Sequence, residues 1–167
     1  PWSTSALRII ENFKAFDYDF PRYLQTITFS GEVMPIKVFN YWKNKLPEVM
    51  FVNLYGPTET TVNCLYFVVN RLFDYDEKIP IGKSFPNTKI LILNNKNEMV
   101  KNNEVGEIFV GGTCLALGYY NDDKLTKNSF IQNPLNSSYP ELLYRTGDLA
   151  YYNDYNEVVF ISRKDFQ

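Results

Sequence analysis

The sequence contains no histidine. That absence excludes a Ser-His-Asp or Cys-His catalytic arrangement, and every His-ligated metal site, within these 167 residues. Cysteine is almost as scarce. Cys64 and Cys114 are too few for a disulfide framework or a structural zinc site, and they fit a reducing, cytoplasmic compartment. There is no basic excess either: a net charge of −2 and a pI near 5.2 argue against a nucleic-acid partner. The longest apolar runs, such as residues 65–69 and 90–93, fall far short of the roughly 18 residues of a membrane span, and nothing reads as a signal peptide. What the chain has in quantity is aromatic surface. Thirteen Phe and thirteen Tyr are more than a disordered chain carries, so a packed core is expected.

The first half reads as α/β. Residues 5–16 place Leu7, Ile10 and Phe13 on one helical face, with Ser3 to Ser5 available as a cap. Residues 26–30 form a short strand stopped by Gly31. Residues 35–46 form the clearest helix, with Pro35 at its start and Val38, Trp42 and Leu46 four apart. Buried strands follow at 49–54 and 64–69. This strand–helix–strand alternation predicts adjacent parallel strands. Beyond Asp74 the chain changes: Pro80, Gly82 and Pro86 break it, and short strands recur at 89–93, 106–111, 143–145 and 158–162, with one helix over 122–130 capped by Asp122. The expected architecture is part of a parallel-sheet α/β subdomain over residues 1–78, followed by a small antiparallel, β-barrel-like subdomain over 79–167.

Three stretches carry chemistry. Asn53-Leu54-Tyr55-Gly56-Pro57-Thr58-Glu59-Thr60-Thr61 follows a buried strand, at the carboxyl end where open α/β sheets place ligands. Gly56 admits a close backbone approach, the threonine hydroxyls and the Glu59 carboxylate suit phosphate oxygens and a magnesium ion, and Tyr55 offers a face for a base. The same letters also make a good turn followed by a helix cap. Tyr144-Arg145-Thr146-Gly147-Asp148-Leu149 is the second; its aspartate suits a ribose diol, although Thr-Gly-Asp equally makes a hairpin turn. The third, Gly106-Glu107-Ile108-Phe109-Val110-Gly111-Gly112 with Ala116-Leu117-Gly118-Tyr119-Tyr120, lacks the Gly-Lys-Ser/Thr of a Walker loop, so its glycines read as strand ends.

In this order, and followed by Ser162-Arg163-Lys164-Asp165-Phe166-Gln167, the stretches resemble the core motifs of the adenylate-forming enzymes. Gly31-Glu32-Val33-Met34-Pro35 and Tyr-Gly-Pro-Thr-Glu-Thr-Thr look most like the amino-acid adenylation domains of non-ribosomal peptide synthetases and the D-alanine–carrier-protein ligases. The resemblance covers essentially the whole chain. It implies an AMP-forming ligase that uses ATP and Mg²⁺ to activate an amino acid or other small carboxylate. The acyl group then passes to the phosphopantetheine thiol of a carrier protein. An acyl- or aryl-CoA ligase, or a non-catalytic nucleotide-binding or interaction domain on the same scaffold, are the alternatives.

Carried over by motif, Asn53 resembles the adenine contact, Tyr55 the ring beneath the base with Gly31 opposite, and Gly56 the turn beside it. Thr58 resembles the phosphate contact, Glu59 the metal ligand, Asp148 the ribose acceptor and Arg163 the ribose and phosphate arginine. Asp165 resembles the hinge of a C-terminal lid, and Phe160 stands where many relatives carry a tyrosine near the nucleotide. Thr28, Ser30, Leu54, Val62 and Asn63 fall at acyl-pocket positions. The chain departs from the family pattern in two ways. It holds neither the Ser/Thr/Gly-rich phosphate loop nor the lid with its lysine, so it is expected to be an inactive piece of a longer enzyme. Ser162 replaces a usual glycine and Tyr155-Asn156 a usual Asp-Gly turn.

Overall fold

The computed structural model describes residues 1–164. Its first half is built around one strand–helix–strand unit. Strands β2 (Thr26–Ser30) and β3 (Met50–Tyr55) pair in parallel across helix α2 (Ile36–Lys45), as the alternation predicts. Pro35 occupies the N-cap of α2, where its missing N–H costs nothing, and Val38, Phe39 and Trp42 turn inward. Helix α1 (Thr4–Asn12) lies beside it, with the Ser3 side chain accepting the Ala6 N–H at 3.2 Å. The Trp42 indole donates to the Leu7 carbonyl at 3.0 Å and ties the two helices together. α1 is shorter than its apolar spacing predicts. Lys14 takes a left-handed φ of 49°, and the chain continues as a single 3-10 turn over Ala15–Asp17.

A two-residue strand β1 (Trp2–Ser3) adds in parallel to β2, while β4 (Leu65–Val69) and β5 (Lys83–Ser84) add antiparallel beyond β3, giving the order β1-β2-β3-β4-β5. Phe29, Phe39 and Phe51 are fully buried between this sheet and the helices, the last two meeting edge to face at 5.5 Å.

The second half is an antiparallel sheet of β6 (Thr88–Leu93), β7 (Gly106–Gly112), β9 (Leu142–Tyr152) and β10 (Val158–Arg163), ordered β10-β9-β7-β6, with β8 (Phe130–Gln132) paired to β9. The intervening helix α3 (Asp123–Ser129) is capped by Asp122, whose carboxylate accepts the Leu125 N–H. Ile92, Ile108 and Val110 form its core together with Leu65 of the first sheet. The fold is thus a parallel-led α/β layer followed by an antiparallel β unit.

One local expectation is corrected. The Tyr144–Leu149 stretch is not a turn between strands but the middle of an eleven-residue strand. Phe109 faces Arg145 and Glu107 faces Leu149, so residues 146–148 stand opposite Ile108 alone and bulge from the ladder.

The two sheets are stitched along β10. The Ile81 N–H donates to the Val158 carbonyl at 2.8 Å, and Gly82 bridges the same residue. Nearby, Arg71 pairs with both oxygens of Glu157 at 3.0 and 2.6 Å, its guanidinium lying against Phe67, Phe73 and Tyr155. Among the described residues no helix is long and apolar enough to cross a membrane.

Candidate functional site

β3 delivers the chain into a loop that only glycine permits. A Cβ on Gly56 would stand 2.6 Å from the Val62 carbonyl oxygen and 2.7 Å from the Asn63 Cα, because the loop folds back until the Cys64 N–H reaches the Tyr55 carbonyl at 2.8 Å. Thr58–Thr60 forms one 3-10 turn, and Thr61 and Val62 follow with φ of 55° and 75°. Left-handed backbone at a β-branched residue costs on the order of 1–3 kcal/mol. It is held here by the Thr61 hydroxyl on the Cys114 carbonyl at 2.7 Å, and by the Ala116 N–H on the Glu59 carbonyl at 2.8 Å.

Between this loop and the second sheet lies a cleft of about 320 Å³. Gly31, Asn53, Leu54, Tyr55 and Gly56 line it from the first sheet, and Asp148, Phe160 and Arg163 from the second. The Tyr55 hydroxyl donates to the Asp148 carboxylate. Burial pushes the Tyr55 hydroxyl well above its usual range and the Asp148 charge adds to it, so the phenol stays protonated and donating. Arg163 reaches the same carboxylate at 3.4 Å and the Thr146 carbonyl at 3.1 Å. The Phe160 ring stands 6.3 Å from that of Tyr55. Asn53 is buried, its Nδ2 donating to the Pro80 carbonyl at 2.9 Å.

Phe160 and Arg163, three residues apart, would point to opposite faces of a regular strand. The register of β10 slips between Phe160 and Ser162, and the inserted residue turns both side chains to the cleft. Lys78, also on the cleft wall, donates to the Ile161 carbonyl at 3.2 Å, inside that slip.

Thr58 and Glu59 lie further along the loop and outside the cleft lining. Thr58 is exposed, whereas Glu59 accepts a hydrogen bond from the Tyr119 hydroxyl, which in turn lies 3.4 Å from that of Tyr144. Burial, the largest influence, would raise the Glu59 carboxyl. The hydrogen bonds from Tyr119, the backbone and Tyr144 and the charge of Arg163 together outweigh it, and the group sits below the ordinary carboxylate range. Glu59 is therefore an ionised, half-buried oxygen donor. Among the described residues no cluster of three Asp, Glu, Cys or His side chains exists. This donor set fits a magnesium ion that draws most of its oxygens from phosphates and water, and does not fit an all-protein metal cage.

Of the acyl-pocket positions only Leu54 lines the cleft. Thr28 and Ser30 alternate with the buried Ile27 and Phe29, so they occupy the other face of β2. Val62 is exposed, and the Asn63 Oδ1 is buried without a hydrogen-bond partner. Asp165 lies outside the described residues. Sequence reasoning missed Lys78, Ile79 and Ile81 on the cleft wall, and the two tyrosines at Glu59. Sixty residues separate Glu59 from Tyr119, and no local pattern connects them.

Residues 4–120 match the family model described as AMP-binding enzyme. The chain is 37% identical over 153 residues to the delta-poly-L-ornithine synthetase of Acinetobacter baumannii, covering 91% of this chain and 11% of that protein. It is 36% identical over 144 residues to bacitracin synthase 1 of Bacillus licheniformis, covering 86% of this chain and 3% of that one. It thus spans about a tenth or less of these relatives. Among solved structures, an NRPS protein containing adenylation and PCP domains, in its holo form with a vinylsulfonamide inhibitor, superposes with a TM-score of 0.86. That match has 29% identity and covers 96% of this chain and 28% of that one.

Proposed function

Since the chain belongs to the AMP-binding enzyme family, we propose that it is the nucleotide-facing part of an amino-acid adenylation domain. Within a longer protein it makes an aminoacyl-AMP from ATP and an amino acid, and the aminoacyl group passes to a carrier-protein phosphopantetheine thiol. The observation that carries this reading is the convergence of Tyr55 and Asp148, from two different sheets, on one cleft with Asn53, Gly31 and Arg163. The peptide-synthetase relatives and the adenylation–PCP structure support the amino acid and the carrier partner.

In this reading adenine packs against Tyr55, with Gly31 on its other side. Asn53 has committed its Nδ2 to Pro80, which leaves Oδ1 to accept from the adenine amino group. Asp148 accepts the ribose hydroxyls, and Arg163 steadies ribose and phosphate. Phe160 contributes an apolar face without a hydroxyl. Thr58 contacts the phosphates and Glu59 holds Mg²⁺; the bound ion neutralises phosphate charge. The substrate carboxylate is already an anion, so no general base is needed and the lack of histidine is no obstacle. Its oxygen attacks the α-phosphorus, the bond to pyrophosphate breaks, and pyrophosphate leaves with the electron pair. The protein contributes positioning and charge stabilisation. Thr28, Ser30, Leu54, Val62 and Asn63 then face the amino-acid side chain. Residues 1–78 and 79–167 are pieces of two subdomains, and Asp165 is the hinge to a lid.

The test is amino-acid-dependent ATP–pyrophosphate exchange by the intact protein, with and without Asp148→Ala. We expect exchange with one amino acid class and its loss in the variant. Exchange that survives Asp148→Ala unchanged overturns the reading. The 167 residues alone, holding no Ser/Thr/Gly-rich phosphate loop and no lysine-bearing lid, are expected to show none.

A further inference from the structure

Glu107 is a buried carboxylate that the proposed chemistry does not use. It sits on β7 and does not line the cleft. Burying a carboxylate is costly unless every oxygen is paired, and here both are. Oε1 accepts from the Arg145 Nε at 2.9 Å and from the Gly147 N–H at 3.2 Å. Oε2 accepts from the Arg145 guanidinium at 3.2 Å and from the Lys164 ammonium at 3.0 Å. Burial, the largest influence, pushes its carboxyl up, but Arg145 and Lys164 together outweigh it and hold the group ionised.

All three partners belong to the 146–148 bulge or flank it. Arg145 precedes it and Gly147 is its centre, with a φ of 73°. Lys164 follows Arg163, the residue paired with Asp148 across β10. The Lys164 N–H also donates to the Gly147 carbonyl at 2.7 Å, so that Gly147 is held by both its N–H and its carbonyl. The Thr146 hydroxyl donates to the Ile108 carbonyl at 2.8 Å and accepts the Asp148 N–H at 3.0 Å. From the cleft side Arg163 reaches the Thr146 carbonyl and Asp148, while Tyr55 donates to Asp148. A bulge with two extra residues has many conformations open to it. Fixing one of them decides where Asp148 points.

We propose that Glu107 is the positioning residue of the ribose site, holding the 146–148 bulge from behind so that the Asp148 carboxylate faces Tyr55 and the cleft. This deepens the nucleotide reading of Asp148 and rests on it. Because Glu107 acts through Asp148, its loss weakens nucleotide binding only while Asp148 is present.

Two measurements test it. In the intact protein, Glu107→Gln keeps the side chain's size but removes the charge that pairs Arg145 and Lys164. Hydrogen exchange of the Gly147 amide is expected to accelerate about tenfold or more, in line with a lost hydrogen bond to a charged group, with exchange in β2 and β3 unchanged. AMP titrated by calorimetry into the intact protein is expected to bind about tenfold more weakly to Glu107→Gln, and no more weakly to Glu107→Gln/Asp148→Asn than to Asp148→Asn alone, the signature of two residues acting as a unit. An unaltered Gly147 amide overturns the proposal. So does an equal loss of AMP affinity in both backgrounds, which marks a general structural role. Full AMP affinity in Asp148→Asn would defeat the nucleotide reading instead, and the Gly147 amide would still decide whether Glu107 sets the bulge.

Discussion

The Tyr55 hydroxyl, at the end of β3, donates to the carboxylate of Asp148, 93 residues later in the bulge of β9. It is a hydrogen bond to a charged group, between sheets that also meet along the 78–84 segment and β10. Removing the hydroxyl with Tyr55→Phe should destabilise the chain by about 1.5–3 kcal/mol, read as a lowered urea midpoint. The ring remains, so affinity for an adenosine ligand should change little. Tyr55→Ala removes the stacking face as well and should weaken binding by roughly 1–3 kcal/mol more. Equal affinities for the two variants, measured by calorimetry, would remove Tyr55 from beneath the base.

Gly56 is a backbone requirement. An alanine there places Cβ 2.6 Å from the Val62 carbonyl, against main chain that cannot swing away as a side-chain tip would. Gly56→Ala should cost about 1–3 kcal/mol as an overpacking change, and should release the left-handed pair Thr61 and Val62. Urea denaturation gives the first; faster amide exchange at Cys64, whose N–H closes the loop on Tyr55, gives the second.

Glu59 is held by Tyr119 from the far side of the loop. In the intact protein, Glu59→Gln should lower the exchange rate by about 10²-fold or more through lost metal positioning. Tyr119→Phe keeps the carboxylate but frees its orientation, so its effect should be smaller and should appear as a higher magnesium requirement. Exchange rates against magnesium concentration separate the two.

The layout of the first sheet was legible because its signals are local: Pro35 opening α2, apolar residues four apart along it, and a buried run on each side. The loop after β3 was legible for the same reason, since Gly56-Pro57 announces a close turn wherever it stands. The two bulges were not. Whether Thr146-Gly147-Asp148 turns the chain or bulges from it depends on what Glu107 and Phe109 pair with, and that lies on another strand. The slip at Ile161, which turns Phe160 and Arg163 to one side, is likewise a property of the ladder. Glu107 read as one letter of a glycine-bounded strand, and only the folded partner shows four donors around it.

The same carboxylate sets a pH dependence of stability. Glu107 is pushed up by burial but brought down further by Arg145 and Lys164, and Glu157 is lowered by its pairing with Arg71; both end below their ordinary value of 4.5. A carboxyl depressed in the fold takes up its proton in the unfolded chain first. Its contribution is therefore complete above 4.5 and is lost as the pH falls from there through the depressed folded values. Urea midpoints should hold level from neutrality down to that point and then decline. Glu107→Gln removes one of the lowered carboxyls, so its midpoint should begin lower at neutral pH and fall less steeply in acid. A variant curve running parallel to the wild type through the acid limb would show that the Glu107 charge contributes nothing to the fold, and that Arg145 and Lys164 are as well served by solvent.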